Sequence, residues 1–318
     1  MLRLQNLQLS RLASWGFLCG LLIVNLVISP YMLKPAVIVG MLSIAMPLML
    51  GAMAVTPSIL SGGGGIDLSI GPLMGFINIL LVTQLGGGVP GVAAIIILML
   101  IGAAIGGLNG FLVAIIRVQP IVATLGTYLI LSGINLWLLP IPIGPAPGWV
   151  LILSRSVFGI PGAILLMLIP ACIWLALLCT PFVRTLLAVG GDDRVAFSVG
   201  INVSLVRILA YSLGGLIAAV AGIALTAAIQ SADASVGPPF TLQVITAAAL
   251  GGISLAGGRG GMLNGIQGAL SLFLIQTLLT DLGVSIYWQQ ICFGTTLLIA
   301  LVLNSNATHF FKPNRTGK

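Results

Sequence analysis

Residues 91–116 read GVAAIIILMLIGAAIGGLNGFLVAII, a stretch without a single charged residue. About 20 apolar residues carry a helix across the hydrocarbon of a bilayer, and stretches of this kind recur along the whole chain. Only 5% of the 318 residues are charged, and 59% are hydrophobic. A soluble domain carries about 25% charged residues. So few charges cannot cover a water-facing surface of this size, so the solvent for most of the chain is lipid.

Ten segments qualify as spans, at about 12–30, 36–56, 66–85, 91–116, 120–140, 160–180, 206–229, 240–256, 261–280 and 286–304. The expected fold is all-α and polytopic, one transmembrane domain over residues 1–318. The eighth segment is short and rich in small residues, which predicts a broken or re-entrant helix. The fifth contains Asn135 and ends at Pro140. Arg3 and Arg11 precede the first apolar run, but no small-x-small cleavage site follows, so it reads as a span and not a leader.

Cytoplasmic loops of membrane proteins carry the excess of Lys and Arg. With a cytoplasmic N-terminus and alternating spans, Arg3, Arg11, Arg117, Arg184, Arg194, Arg207, Arg259, Lys312, Arg315 and Lys318 fall inside. Only Lys34 and Arg155 fall outside. This split predicts an even number of crossings with both termini cytoplasmic. The longest outside loop, 141–160, holds Trp149 and is expected to lie along the outer interface or meet a partner. The longest inside loop runs from Arg184 to Arg207. The net charge of +7 is scattered and no basic run alternates with aromatics, so nucleic acid is not an expected partner. Cys19, Cys172, Cys179 and Cys292 form no CxxC pair, which leaves packing or lipid contact as their role and predicts no metal site. His309 is expected in a solvated tail.

Glycine accounts for 42 residues. Gly102, Gly106 and Gly110 recur at four-residue spacing, with Gly261, Gly265 and Gly268 less regular; such stripes let membrane helices approach closely. The run Gly62 to Gly65 is different, because consecutive glycines cannot sustain a helix interior. It marks a break, and broken backbone at membrane depth persists only when buried in protein or lining a wet cavity. A second break echoes the first: GGIDLSIG at 64–71 resembles GGISLAGG at 251–258. The candidate break or gate residues are therefore Gly64, Gly65, Asp67 and Ser69, with Gly251, Gly252, Ser254, Gly257 and Gly258. A second echo pairs GGLNG at 106–110 with GGMLNG at 260–265. Transporters use parallel and inverted repeats, and both stay open here. Asp67 follows the first break, where a carboxylate can cap the new helix or line a path.

The inside loop reads RTLLAVGGDDRVAFSVGINVSLVR. Asp192 is placed to cap a short helix over 193–199, and Gly200 to end it, giving a surface helix between glycine hinges. Polar residues that could line a cavity are Asn78, Asn109, Gln119, Thr124, Asn135, Gln243, Asn264, Gln267 and Gln276, each also able to bond between helices. The chain has no GxxxxGK[ST] loop, no HExxH and no GxSxG, so no catalytic residue is nominated.

GGIDLSIG, then VGGDDRVAFSVGIN, then GGISLAGGRGG, in this order, resemble the membrane permeases of bacterial ribose-type ABC importers, over about residues 12–304. The resemblance implies a type II importer-like permease of the inner membrane that passes a sugar or similar small polar solute. It implies a second permease subunit, a cytoplasmic ATPase carrying ATP and magnesium, and a periplasmic binding protein. The family's coupling helix maps onto Gly190, Gly191, Asp192, Asp193, Arg194, Val195, Ala196, Phe197, Ser198, Gly200, Ile201 and Asn202. Replacing Gly190, Gly200 or Phe197 is then expected to uncouple transport without unfolding the protein. Asp192 stands where the family usually has asparagine, and Thr241-Leu242-Gln243 where it often has Glu-Leu-Asp. The competing class is an ion-coupled carrier, for which Asp67 and Asp281 are the candidate ionisable groups.

Overall fold

The computed structural model describes residues 2–86, 88–154, 156–157 and 160–309. Arg155, Lys312, Arg315 and Lys318 lie outside the described residues. Helix α1 (Leu2–Ile28) passes through a 3₁₀ turn into α2 (Pro35–Leu60), followed by α3 (Ile70–Thr83), α4 (Gly91–Ala114), α5 (Pro120–Leu138) and the short α6 (Gly148–Ser154). Strands β1 (Ser156–Val157) and β2 (Ile160–Pro161) form a minimal antiparallel pair. Then come α7 (Gly162–Leu178), α8 (Phe182–Gly191), α9 (Asp193–Ser198), α10 (Val203–Ile229), α11 (Phe240–Leu250), α12 (Met262–Asp281) and α13 (Ile286–His309). His309 closes the last helix and does not lie in a separate tail.

The helices differ from the expected spans where glycine intervenes. Among the described residues, α2, α4, α5, α10 and α12 are each long and apolar enough to cross a membrane alone. The pair α7 and α8, bent by 83° at its junction, makes a sixth broken candidate. The segment expected at 66–85 is helical only over α3, and that at 240–256 only over α11, because the glycine-rich stretches ahead of α3 and after α11 leave the helix. The first third of the expected inside loop is helix α8. It buries Val183, Leu186 and Val189 on one face, the stripe of an amphipathic helix lying across an end of the bundle.

Helix α10 is the centre. Its residues from 213 to 227 are buried almost throughout, and it packs on α4, α2 and α3. Small residues permit this. A Cβ added at Gly102 would overlap the Gly215 carbonyl, one at Gly106 the Tyr211 carbonyl, and one at Gly110 would press on the backbone of Ile208. The four-residue stripe of α4 is therefore a backbone contact with α10. With lipid outside there is no hydrophobic drive between helices, and such close approach supplies the attraction instead. Large apolar side chains such as Ile96, Leu100, Leu129, Ile130 and Trp137 point outward, as do Cys19, Cys172 and Cys179. That surface suits hydrocarbon and not water.

The end of the bundle away from the glycine breaks is closed by polar bonds. Ser29 and Tyr31 both donate to the Asp281 carboxylate, at 2.5 and 2.7 Å. The bond to Asp281 holds the Tyr31 phenol above its ordinary pKa. Asn78 donates to Thr226 of α10 and to the Ser231 carbonyl, and accepts from the Asp233 backbone N–H.

Gly106→Ala is expected to lower stability by about 1–3 kcal/mol, through overpacking against α10. Gly126, in α5, faces open space, so Gly126→Ala is expected to be neutral or to stabilise by up to about 1 kcal/mol. Unfolding midpoints of the two variants in detergent micelles check the contrast.

Candidate functional site

The first break begins where α2 runs out. Gly62, Gly63 and Gly64 take φ of +72°, +63° and +76°, a left-handed path that side-chain-bearing residues avoid. This interrupted backbone exposes carbonyls that must find donors. Three elements supply them. The Gly258 N–H donates to the Leu60 carbonyl at 3.1 Å, Thr124 of α5 to the Ile66 carbonyl, and Thr241 of α11 to the Leu68 carbonyl. Asp67 is buried, and its Oδ1 accepts both the backbone N–H and the hydroxyl of Ser69 just ahead of α3. Asn109 of α4 donates to that hydroxyl and accepts from Thr127 of α5. A buried network thus ties the start of α3 to α4 and α5.

The second break follows α11. Gly252, Gly257 and Gly258 have positive φ, and the Ser254 N–H closes the turn on the Arg259 carbonyl. Asn264 of α12 donates to the Gly251 carbonyl at 2.8 Å. The two asparagines of the LNG echoes therefore do related work, each reaching from an unbroken helix to a broken segment.

The two breaks meet each other, and they meet the end of α8. A Cβ at Gly190 would overlap the Leu60 carbonyl and crowd the Gly258 nitrogen. One at Gly257 would overlap Gly62, and one at Gly258 would crowd Gly191. Three separate stretches of sequence thus press backbone to backbone at one point. Gly190 and Gly191 close α8 and are not a hinge, which corrects the expected hinged loop. Gly190 is the member of the pair whose lack of a side chain lets the chain fit between the breaks.

From this point α9 projects. Asp192 Oδ1 accepts the N–H groups of Arg194 and Val195, capping the helix as expected. At the other end the Gly200 N–H reaches the Phe197 carbonyl and the Ile201 N–H the Ala196 carbonyl, with Gly200 at φ +87°. That is a Schellman closure. Asn202 then caps α10 through the Leu205 N–H. Ala196 is buried beneath the helix, while Val195, Phe197 and Val199 are 59%, 73% and 70% exposed. Arg194 and Ser198 are also exposed.

Residues 37–301 match the family described as branched-chain amino acid transport system / permease component. The chain is 35% identical over 289 residues to the ribose import permease protein RbsC of Bacillus subtilis, covering 89% of each chain. It is 34% identical to RbsC of Escherichia coli K12, covering 80% of this chain and 81% of that one. It is 35% identical to the autoinducer 2 import system permease protein LsrC of Salmonella choleraesuis, covering 82% and 76%. The chain belongs to this permease family. It is a multi-pass membrane transport component and not an enzyme. No solved structure matches it.

The polar residues nominated for a cavity divide into groups in the permease. Asn78, Asn109, Thr124 and Asn264 have their side chains engaged in bonds between segments. Asn135 donates to the Pro72 carbonyl, but its Oδ1 is buried without a protein partner, and so is Nε2 of the buried Gln267. Gln243 and Gln276 are half-buried, and Gln119 is exposed at the start of α5. Sequence reasoning missed Thr127 and Thr226, which complete the asparagine networks, and Arg207. It named Gly62 only as part of a break. The glycine run was the available signal for its contact, but not for its partner.

Gly190→Ala is expected to cost about 1–3 kcal/mol and to depress folded yield, because its Cβ has no room. It is a packing variant, not the clean uncoupling variant the sequence implied. Gly191→Ala meets open space and should stay within about 0.5 kcal/mol of the parent. Folded yield and unfolding midpoints of the pair test this.

Proposed function

We propose that the chain is the membrane subunit of an ATP-driven ABC importer, residing in the bacterial cytoplasmic membrane and passing a sugar or similar small polar solute. The relatives named for ribose and autoinducer 2 import support that cargo class. The observation that carries the coupling is α9. Three large apolar side chains stand exposed on and just after a helix capped at both ends, which follows directly on the end of α8 that packs against both glycine breaks. Water alone gives such a surface no reason to exist. A groove on an ATPase subunit does.

The proposed topology has ten crossings with both termini cytoplasmic. It is supported by contacts that sort the chain into two ends. Gly252 lies beside Ser14, Leu60 beside Gly258, Ala114 beside Ser204, and Ile66 beside Thr124, all at the break end. Ser29 meets Asp281, and Ile143 pairs with Ala232, at the other. Arg117, Arg194, Arg207 and Arg259 belong to the break end and Lys34 to the opposite one, in keeping with a cytoplasmic break end.

In this reading two permease subunits form the pathway, and a binding protein delivers the solute from outside. ATP and magnesium bind the partner ATPase, whose closure moves α9 and α8. The glycine contact passes that displacement to both breaks, and the access of the cavity changes side. Asn135, Gln243 and Gln267 are among the pathway candidates that the hydrogen-bond networks leave available, with Gln119 and Gln276.

The test is reconstitution of the permease with the ATPase and binding protein encoded beside it. Phe197→Asp should lower ATPase co-purification and solute uptake at least tenfold while the unfolding midpoint stays within about 2 °C, the behaviour of a surface change. Full uptake by this variant, or uptake by the parent without any ATPase, defeats the reading.

A further inference from the structure

Arg207 lies one turn inside α10, with its side chain only 17% exposed. Its Nη2 donates to Asp193 Oδ2 of α9 at 3.0 Å, the one ion pair among the described residues. The same guanidinium covers the first glycine break: a Cβ added at Gly63 would stand 2.8 Å from Nη2. So one side chain, rooted in the most buried helix, touches both the docking helix and the break.

Two further facts point to a specific role. The Arg207 Nε and the hydroxyl of Tyr211, the next turn of α10, are buried and have no protein partner. Arginine is the residue suited to such a place, since its planar fork offers several donors in fixed directions. A surface chosen only for solubility does not bury a guanidinium against glycine backbone.

We propose that Arg207 is a positioning residue that ties α9 to the first glycine break, so that the docking helix and the break move as one body. This deepens the importer reading and rests on it for its consequence, but the tie itself is a property of the permease alone. The glycine contact transmits compression. The Asp193–Arg207 pair transmits pull, because it holds α9 to α10 when a partner draws the helix outward.

The experiment has two arms. In the first, a nitroxide is placed at Ser198→Cys in the purified permease after Cys19, Cys172, Cys179 and Cys292 are changed to serine. Arg207→Ala and Asp193→Asn should each increase the mobility of the label, with the unfolding midpoint unchanged for Asp193→Asn. In the second arm, the reconstituted complex is assayed for stimulation of ATPase by loaded binding protein. Each single variant should lose stimulation by about fivefold or more, the scale of a typical coupling between sites. The double variant should be no worse than either single, and the swap Asp193→Arg with Arg207→Asp should recover most of the stimulation. A label as immobile in both variants as in the parent overturns the tie, as do additive losses in the double variant. If the parent complex shows no stimulation at all, the importer reading falls, and the label arm still decides the tie. Should Arg207→Ala fail to fold, Asp193→Asn decides alone, since that side chain is half exposed.

Discussion

A helix interrupted within a membrane protein leaves backbone donors and acceptors that lipid cannot satisfy. In this permease the interrupted segments satisfy one another. The Leu60 carbonyl, left over at the end of α2, is taken by the Gly258 N–H of the other break, and Gly190 is wedged against both. Gly62, Gly190, Gly257 and Gly258 are consequently one requirement and not four, because each is small for the sake of the others. Packed protein interiors have low compressibility and transmit strain. A contact made of backbone alone has the least slack of all, since no rotamer is available to absorb a displacement. Whatever shifts α8 therefore shifts the two breaks together.

Much of this is legible in the amino-acid sequence. The apolar runs announce lipid, the glycine run announces a break, and Asp192 and Gly200 announce the ends of α9, because each of these signals acts over a few residues. What is not legible depends on contact at a distance. Nothing in VGGDD states that its glycines sit against Leu60 and Gly258, and by local chemistry alone a Gly-Gly pair reads as a hinge. Helix α8 is hidden for another reason. Its stripe of Val183, Leu186 and Val189 is short, and Arg184 inside it reads as the start of a polar loop. The asparagines are visible as polar residues in apolar runs, but a sequence cannot distinguish a cavity wall from a helix-to-helix bond. The structure gives most of them to the second class.

One local device appears twice and shows how position governs its use. Asp67-Leu68-Ser69 and Asp233-Ala234-Ser235 each fold so that the aspartate Oδ1 takes both the backbone N–H and the hydroxyl of the serine two residues on. A buried asparagine joins each, Asn109 through the serine hydroxyl and Asn78 through the Asp233 N–H. The first lies in the break ahead of α3 and the second at the opposite end of the bundle. The pair is built by the same rule for satisfying a turn, placed where the chain leaves one helix for the next.

The acidic residues bear on what drives transport. The chain has five: Asp67, Asp192, Asp193, Asp233 and Asp281. At least one oxygen of each is already held, by Ser69, by the N–H groups of Arg194 and Val195, by Arg207, by Ser235, and by Ser29 with Tyr31. An ion-coupled carrier needs a carboxylate whose occupancy by a cation changes the preferred conformation, and an ionisable group kept for that purpose lies at mid-membrane. Here every carboxylate stands at a helix end or in a break, each with at least one oxygen bonded to local backbone, to a hydroxyl or to one arginine, and Asp67 keeps its buried Oδ2 without a protein partner. The family's ribose and autoinducer 2 relatives favour the same conclusion from another direction. An importer permease is driven by an ATPase partner, and in the proposed reading the exposed apolar tip of α9 is the part of the molecule that would receive it.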